Sequence, residues 1–244
     1  MSAVGLFVTC AVGAAQTSNR RVHFEGKVAS GQTLVVEGAR GSKPVFTLPA
    51  WVAPDEFSVS PSGRHALVYA KLKKGEARTA ILFDVADPAT AKETGRFKPG
   101  VGGSWYWSPT DTVILVAGCG TSCAQILVHD LAGKELAGLL CDGFDSDSEL
   151  SNDHRFVACF STSPSPRRGE LQVVDTTDGR VVRQTHLPCM SNGGVNRDAV
   201  SFEKSGGGMS FQCYDATKKR NVGVVVAWTA GRPALTSTEL PKRE

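Results

Sequence analysis

Short apolar runs that stop at a cluster of turn residues and resume at once run through the chain. In "FSVSPSGRHALVYA", residues 57–70, an alternating segment halts at Ser60-Pro61-Ser62-Gly63 and continues as a second apolar segment. Proline presets φ and glycine accepts positive φ, so this reads as a tight hairpin. The same arrangement returns in "WYWSPTDTVILVAG", "ELSNDHRFVACFS" and "VSFEKSGGGMSFQCYD", with Asn152-Asp153 and Gly206-Gly207-Gly208 making the later turns. A second kind of hairpin alternates with it, a β-branched strand followed by a turn and another strand. Those turns begin at Glu37, Asp84, Asp130, Asp175 and Trp228, a repeat of roughly 45–50 residues.

Each repeat is therefore four strands, A to D, with a tight A–B turn, a variable B–C loop and a C–D turn. No segment keeps a helical period; Pro88–Thr94 is at most one helical turn within a C–D connection. A four-stranded unit of this length is the blade of a β-propeller. A lone blade leaves both faces exposed, and radial stacking explains unbroken apolar strands such as Ala80-Ile81-Leu82-Phe83. The expected fold is all-β, a propeller of about five four-stranded blades occupying residues 19–240 as a single domain. The first blade is the irregular one: "RRVHFEGKV" supplies its strand B, and its strand A is either Gly5–Val12 or missing.

Residues 1–18 are read in two ways. Gly13-Ala14-Ala15 before Gln16 suits a secretory cleavage site, although the basic start of a signal peptide is absent; alternatively, the segment holds the first strand. Seven cysteines become six, an even number, if a leader carrying Cys10 is removed. Propeller topology suggests pairing Cys141 with Cys159, Cys189 with Cys213, and Cys119 with Cys123. Disulfides imply a periplasmic or secreted protein, while six buried thiols in the cytoplasm are the alternative. The net charge of +3 is too small to indicate nucleic acid. No apolar run is long enough for a transmembrane helix.

The repeat resembles that of TolB-like propellers, with a likeness to WD-type blades. Ser60-Pro61-Ser62-Gly63-Arg64 and Trp107-Ser108-Pro109-Thr110-Asp111 carry the resemblance, with Phe83-Asp84 and Val174-Asp175 as the later element. It spans residues 33–238. It departs from the family pattern where Pro-Asp-Gly becomes Pro-Ser-Gly and where the last two repeats lack proline. The resemblance implies a propeller and little about activity, because such propellers serve as binding platforms, peptidase gates and unassigned exported proteins.

The chain contains no G-x-S-x-G, H-E-x-x-H, Walker A or C-x-x-C motif. Its five histidines show no metal-ligand spacing, and no cofactor or metal is expected. Asp145, Asp147 and Glu149 have a calcium-loop spacing, but the required glycine is replaced by Leu150. Topology places the B–C loops and D–A linkers on one face. That face gathers Lys71, Lys73, Lys74, Arg78, Arg167, Arg168, Lys218, Lys219 and Arg220, a basic rim for an acidic partner or ordinary solubilising charge. It also gathers Asp55, Glu56, Asp147, Glu149 and Asp198 where strands A begin along the channel. Acids from several blades serve glycosidases, and aspartate also favours turns. The reading that follows is an exported non-catalytic binding module for a protein or anionic glycan. The rival is a channel-carboxylate glycosidase or lectin-like propeller.

Overall fold

The computed structural model describes residues 21–39, 41–97, 103–118, 123–142, 150–162, 168–190, 195–215 and 217–240. The 1–18 segment, with its two readings, lies outside them. Five antiparallel sheets follow one another along the chain. The first holds β1 (Arg21–Glu25), β2 (Thr33–Gly38) and β3 (Gly41–Thr47). The second holds β4 (Glu56–Val59), β5 (His65–Ala70), β6 (Thr79–Asp84) and β7 (Lys92–Phe97). The third holds β8 (Gly103–Trp107), β9 (Val113–Gly118), β10 (Cys123–His129) and β11 (Glu135–Asp142). The fourth holds β12 (Phe156–Thr162), β13 (Arg168–Asp175) and β14 (Arg180–Met190). The fifth holds β15 (Val195–Phe202), β16 (Gly208–Asp215), β17 (Arg220–Ala227) and β18 (Leu235–Glu239).

The strands of each sheet pair in chain order, the up-and-down meander of a propeller blade. In the fourth blade strand A is represented by one bridge, Leu150 to Val157. The first blade is three-stranded among the described residues. The segment 88–94, expected to be at most a helical turn, contains a hydrogen-bonded turn in which Thr90 N–H donates to Asp87 O at 3.1 Å, and β7 begins within it at Lys92.

Successive blades bury their faces against each other. Leu34, Val36, Val68, Ile81 and Phe83 join the first two blades. Leu67, Tyr69, Leu82, Trp105, Trp107 and Leu115 join the second and third. Ile114, Val116, Ile126, Cys141, Val157 and Cys159 join the third and fourth. Phe160, Leu171, Met209, Phe211, Val222 and Val224 join the fourth and fifth. In β5, Ala66 and Val68 face one neighbour while Leu67 and Tyr69 face the other, so the apolar run has no solvent face. Each fully buried Val, Leu, Ile, Phe or Met among them contributes roughly 1.5–3 kcal/mol relative to exposure. The fifth blade is different. Its inner residues Met209, Phe211 and Cys213 are buried, but Ser210, Gln212 and Tyr214 between them are half-buried or exposed.

The A–B turns share one geometry. The N–H of Gly63, Asp111, His154 and Gly206 donates to the carbonyl three residues earlier, at 2.8–3.2 Å. All four have φ between 57° and 69°, a region glycine enters freely and other residues only at a cost. Where glycine is absent, the side chain bridges blades. Asp111 accepts from Ser60 Oγ at 3.0 Å, from Ser62 N–H at 3.3 Å and from His65 Nδ1–H at 2.8 Å, all in the preceding blade, and also from Ser62 Oγ. His154 Nδ1 lies 3.1 Å from Trp107 O. Strand D of one blade also lies close to the C–D turn of the next. A Cβ on Gly179 would lie 2.7 Å from Leu136 Cβ, and one on Gly95 would lie 2.9 Å from the Ala132 carbonyl carbon.

A disulfide joins Cys141, at the end of β11, to Cys159 in β12, linking the third blade to the fourth. Cys213 is also disulfide-bonded. Cys119 lies outside the described residues; Cys123 and Cys189 lie in strands, with their side chains outside those described.

Candidate functional site

The face that carries the B–C loops and D–A linkers is best defined around the first two blades. The B–C loop of the first blade contains a 3-10 turn, Val28–Ser30. The linker from β3 to β4 is tied to this loop: Leu48 N–H donates to Gln32 O at 2.8 Å, and Trp51 N–H to Val28 O at 2.6 Å. Trp51 is thereby held at φ 66° with its side chain 78% exposed, beside Val28, which is also exposed. Positive φ together with exposure makes Trp51 a candidate contact residue on this face. Nothing in the periodicity of the strands points to Trp51, because it lies between repeats. The available signal was a tryptophan in a linker.

The basic rim is only partly free. Lys71, Lys73, Lys74 and Arg78 are exposed in the loop between β5 and β6, and Lys218 and Lys219 are exposed in the turn between β16 and β17. Arg78 Nε is 3.1 Å from Asp55 Oδ2, Lys73 Nζ is 3.4 Å from Glu76, and Arg220 Nη1 is 2.5 Å from Glu239. Arg78, Lys73 and Arg220 are therefore paired. Arg167 lies outside the described residues, and Arg168 opens β13 with its side chain outside those described. The described rim cations come from two B–C loops, those of the second and fifth blades.

The channel acids differ in their surroundings. Asp55 is neutralised by Arg78. Asp147 and Glu149 lie outside the described residues, and Asp198 lies in β15 with its side chain outside those described. Glu56 remains. It opens β4, pairs across the strand with Tyr69 and is half-buried on the side facing the third blade. Burial pushes its carboxyl up to about 7, and the Trp105 backbone N–H pulls it partly back. Burial also raises the Tyr69 phenol, with Arg78 opposing and Asp55 and Glu56 adding to the rise. The Tyr69 hydroxyl and the Trp105 indole N–H are buried without a partner among the described residues. The two rings lie 5.3 Å apart, and Phe97 packs on Trp105 at 5.2 Å. A lone carboxyl of this kind can hold or release a proton near neutrality. Two-carboxylate glycoside hydrolysis needs a second acid roughly 5–10 Å away; the neighbouring acid Asp55 is paired with Arg78.

The elevated Glu56 value has a stability consequence. The native state holds this proton between the ordinary carboxylate range and about pH 7, so the cost of ionising Glu56 is absent at pH 4 and complete above pH 8. Glu56→Gln should stabilise the chain at pH 8 and leave it nearly unchanged at pH 4.5. After discounting for solvent screening, the gain is about 1–2 kcal/mol. Urea melts of both proteins at the two pH values measure it.

No protein-family model matches the chain, and no curated protein matches it. Solved structures do. The chain is similar to hydrazine synthase of Kuenenia stuttgartiensis, with 15% identity, 97% of this chain and 70% of that one covered, and a TM-score of 0.39. It is similar to TolB from Acinetobacter baumannii, with 14% identity, 90% and 52% covered, and a TM-score of 0.35, so it spans about half of that protein. It is also similar to the β-propeller domain of the Trilobed protease from Pyrococcus furiosus, with 10% identity, 81% and 61% covered, and a TM-score of 0.42. Likenesses this distant assign no ligand or activity to the chain; that it is an all-β propeller rests on its own five stacked meanders.

Proposed function

We propose that the chain is an exported, non-catalytic propeller of TolB-like repeats that binds an acidic protein or anionic glycan through its B–C loops and D–A linkers. The observation that carries this reading is Trp51, 78% exposed and held at positive φ on that face. Exposed tryptophans anchor interfaces because they bury large apolar area at small entropic cost. Lys71, Lys74, Lys218 and Lys219 supply attraction to negative charge. The Cys141–Cys159 bond supports an oxidising compartment, periplasmic or secreted.

An array of sulfated and uronic-acid glycans, with heparin as the reference polyanion, tests the proposal. Trp51→Ala should weaken binding at least about tenfold, as loss of an aromatic anchor does. Reversal of Lys71, Lys74, Lys218 and Lys219 to Glu should abolish the salt dependence. Binding indifferent to both changes would remove this face as the contact surface. The glycosidase alternative draws support from Glu56; hydrolysis of aryl glycosides by the wild type and its loss in Glu56→Gln would favour it over the binding module.

A further inference from the structure

The face of the first blade turned away from the second carries charged side chains beside a buried valine, Val35. Val22, Phe24, Leu34 and Val36 point toward the second blade. Strand alternation therefore sends His23, Glu25 and Glu37 to the opposite side. In the register of β1 against β2, His23 opposes Val35 and Arg21 opposes Glu37, so Glu37 is the diagonal neighbour of His23. No core cluster among the described residues covers this face with the fifth blade.

One donor atom from each of His23, Glu25 and Glu37 lies within 4.8 Å of the other two. His23 Nε2 is 3.1 Å from Glu25 Oε1. His23 Nδ1 is buried and has no hydrogen-bond partner among the described residues. The imidazole is therefore not locked into a network that would hold it away from a cation. Among the described residues no hydrogen bond or ion pair engages Glu37; the opposed Arg21 is exposed. Val35, only 4% exposed, provides an apolar floor directly across from His23. The carboxylates of Glu25 and Glu37 repel each other, and a cation held between them and the imidazole would relieve that repulsion.

We propose that His23, Glu25 and Glu37 form a divalent transition-metal site of the zinc class on the outward face of the first blade. One imidazole nitrogen with two carboxylate oxygens is a borderline donor set, suited to zinc and its neighbours rather than to calcium or magnesium. Tetrahedral ligands about 2.0–2.2 Å from zinc stand about 3.4 Å apart. The three donor atoms, all within 4.8 Å of one another, would have to draw closer around the ion. Three protein ligands leave a fourth position open to water or to a donor from a partner.

The sequence alone assigns no metal to this face, because His23 and Glu25 are two residues apart and Glu37 belongs to another strand. The sheet register brings the three together.

The test uses the full oxidised chain with free thiols alkylated, so that cysteine contributes no ligand. After chelator treatment it is titrated with zinc chloride in a calorimeter and with cobalt(II) under visible spectroscopy. One equivalent of zinc should bind, and cobalt should develop the intense bands of a four-coordinate site. His23→Ala, Glu25→Gln and Glu37→Gln should each weaken zinc at least about tenfold, while Arg21→Ala leaves binding intact or tightens it. Unchanged far-UV circular dichroism and melting of the metal-free variants separate ligand loss from misfolding. Absence of stoichiometric uptake, or uptake unaffected by His23→Ala and Glu37→Gln, overturns the proposal. Loss in one of these two variants but not in the other overturns the three-ligand assignment.

Discussion

Phe211→Ala is expected to cost about 3–5 kcal/mol, more than any other substitution proposed for this chain. Phe211 is 2% exposed, and its ring meets Phe160 of the fourth blade edge-on at 5.2 Å. Met209, Cys213, Val222 and Val224 surround it in the same cluster. Truncation removes the transfer energy of the ring and leaves a cavity between two packed sheets, which relax only partially around it. The fifth blade buries this face and, among the described residues, shares no core cluster with the first. The cluster that Phe211 anchors is therefore its described apolar attachment. A loss of this size is a large part of a typical domain stability of about 5–15 kcal/mol. Denaturant melts should show it, and amide exchange should show β16 and β17 losing protection before β5 and β6. A change below about 1.5 kcal/mol, or uniform loss of protection, would mean that the fifth blade is held by other contacts.

Asp111→Ala is expected to cost about 3 kcal/mol, because it removes the shared acceptor of a buried network. Ser60 and Ser62 hydroxyls, the Ser62 N–H and the His65 imidazole all donate to this carboxylate. Alanine would leave them facing each other without an acceptor. Asp111→Asn keeps an acceptor oxygen and should cost less. A double-mutant cycle with His65→Ala should give a coupling of at least about 1 kcal/mol, as residues of one network do. The pH dependence has a definite sign. Burial alone would push the Asp111 carboxyl up, but the donors from Ser62, His65 and Ser60 outweigh it and hold the group below its usual range. The carboxylate's contribution is therefore complete above the ordinary carboxylate pKa and is lost as pH falls through the lowered native value. The gap between wild type and Asp111→Ala should be level from about pH 5 to 7 and shrink below about pH 4. A gap that widened on acidification would contradict this account of the network.

The blade repeat was legible in the chain because its causes are local. Ser60-Pro61-Ser62-Gly63 turns the chain wherever it is placed, and an apolar run without polar alternation such as Ala80–Phe83 needs cover on both faces. The replacement of glycine by Asp111 and His154 looks in the sequence like a weakening of the repeat. In the folded chain both residues reach the preceding blade. The distinction lies in side-chain direction, which turn chemistry does not determine.

Long-range pairing decided the rest. Asp55 and Arg78 were separate candidates, one for the channel and one for the rim, until the second blade placed them 3.1 Å apart and cancelled both charges. Glu56 differs from Asp55 by one position along the strand, and that step turns it toward the third blade and into partial burial. Trp51 belongs to no strand, and His23, Glu25 and Glu37 belong to two, so no periodicity could single them out. The sequence by itself determined how many sheets form and how each folds back on itself, through φ preferences and apolar spacing within a few residues. The tertiary structure decided which charges survive, which carboxyl holds its proton and which donors converge, because those depend on distances between strands and blades that no local spacing encodes.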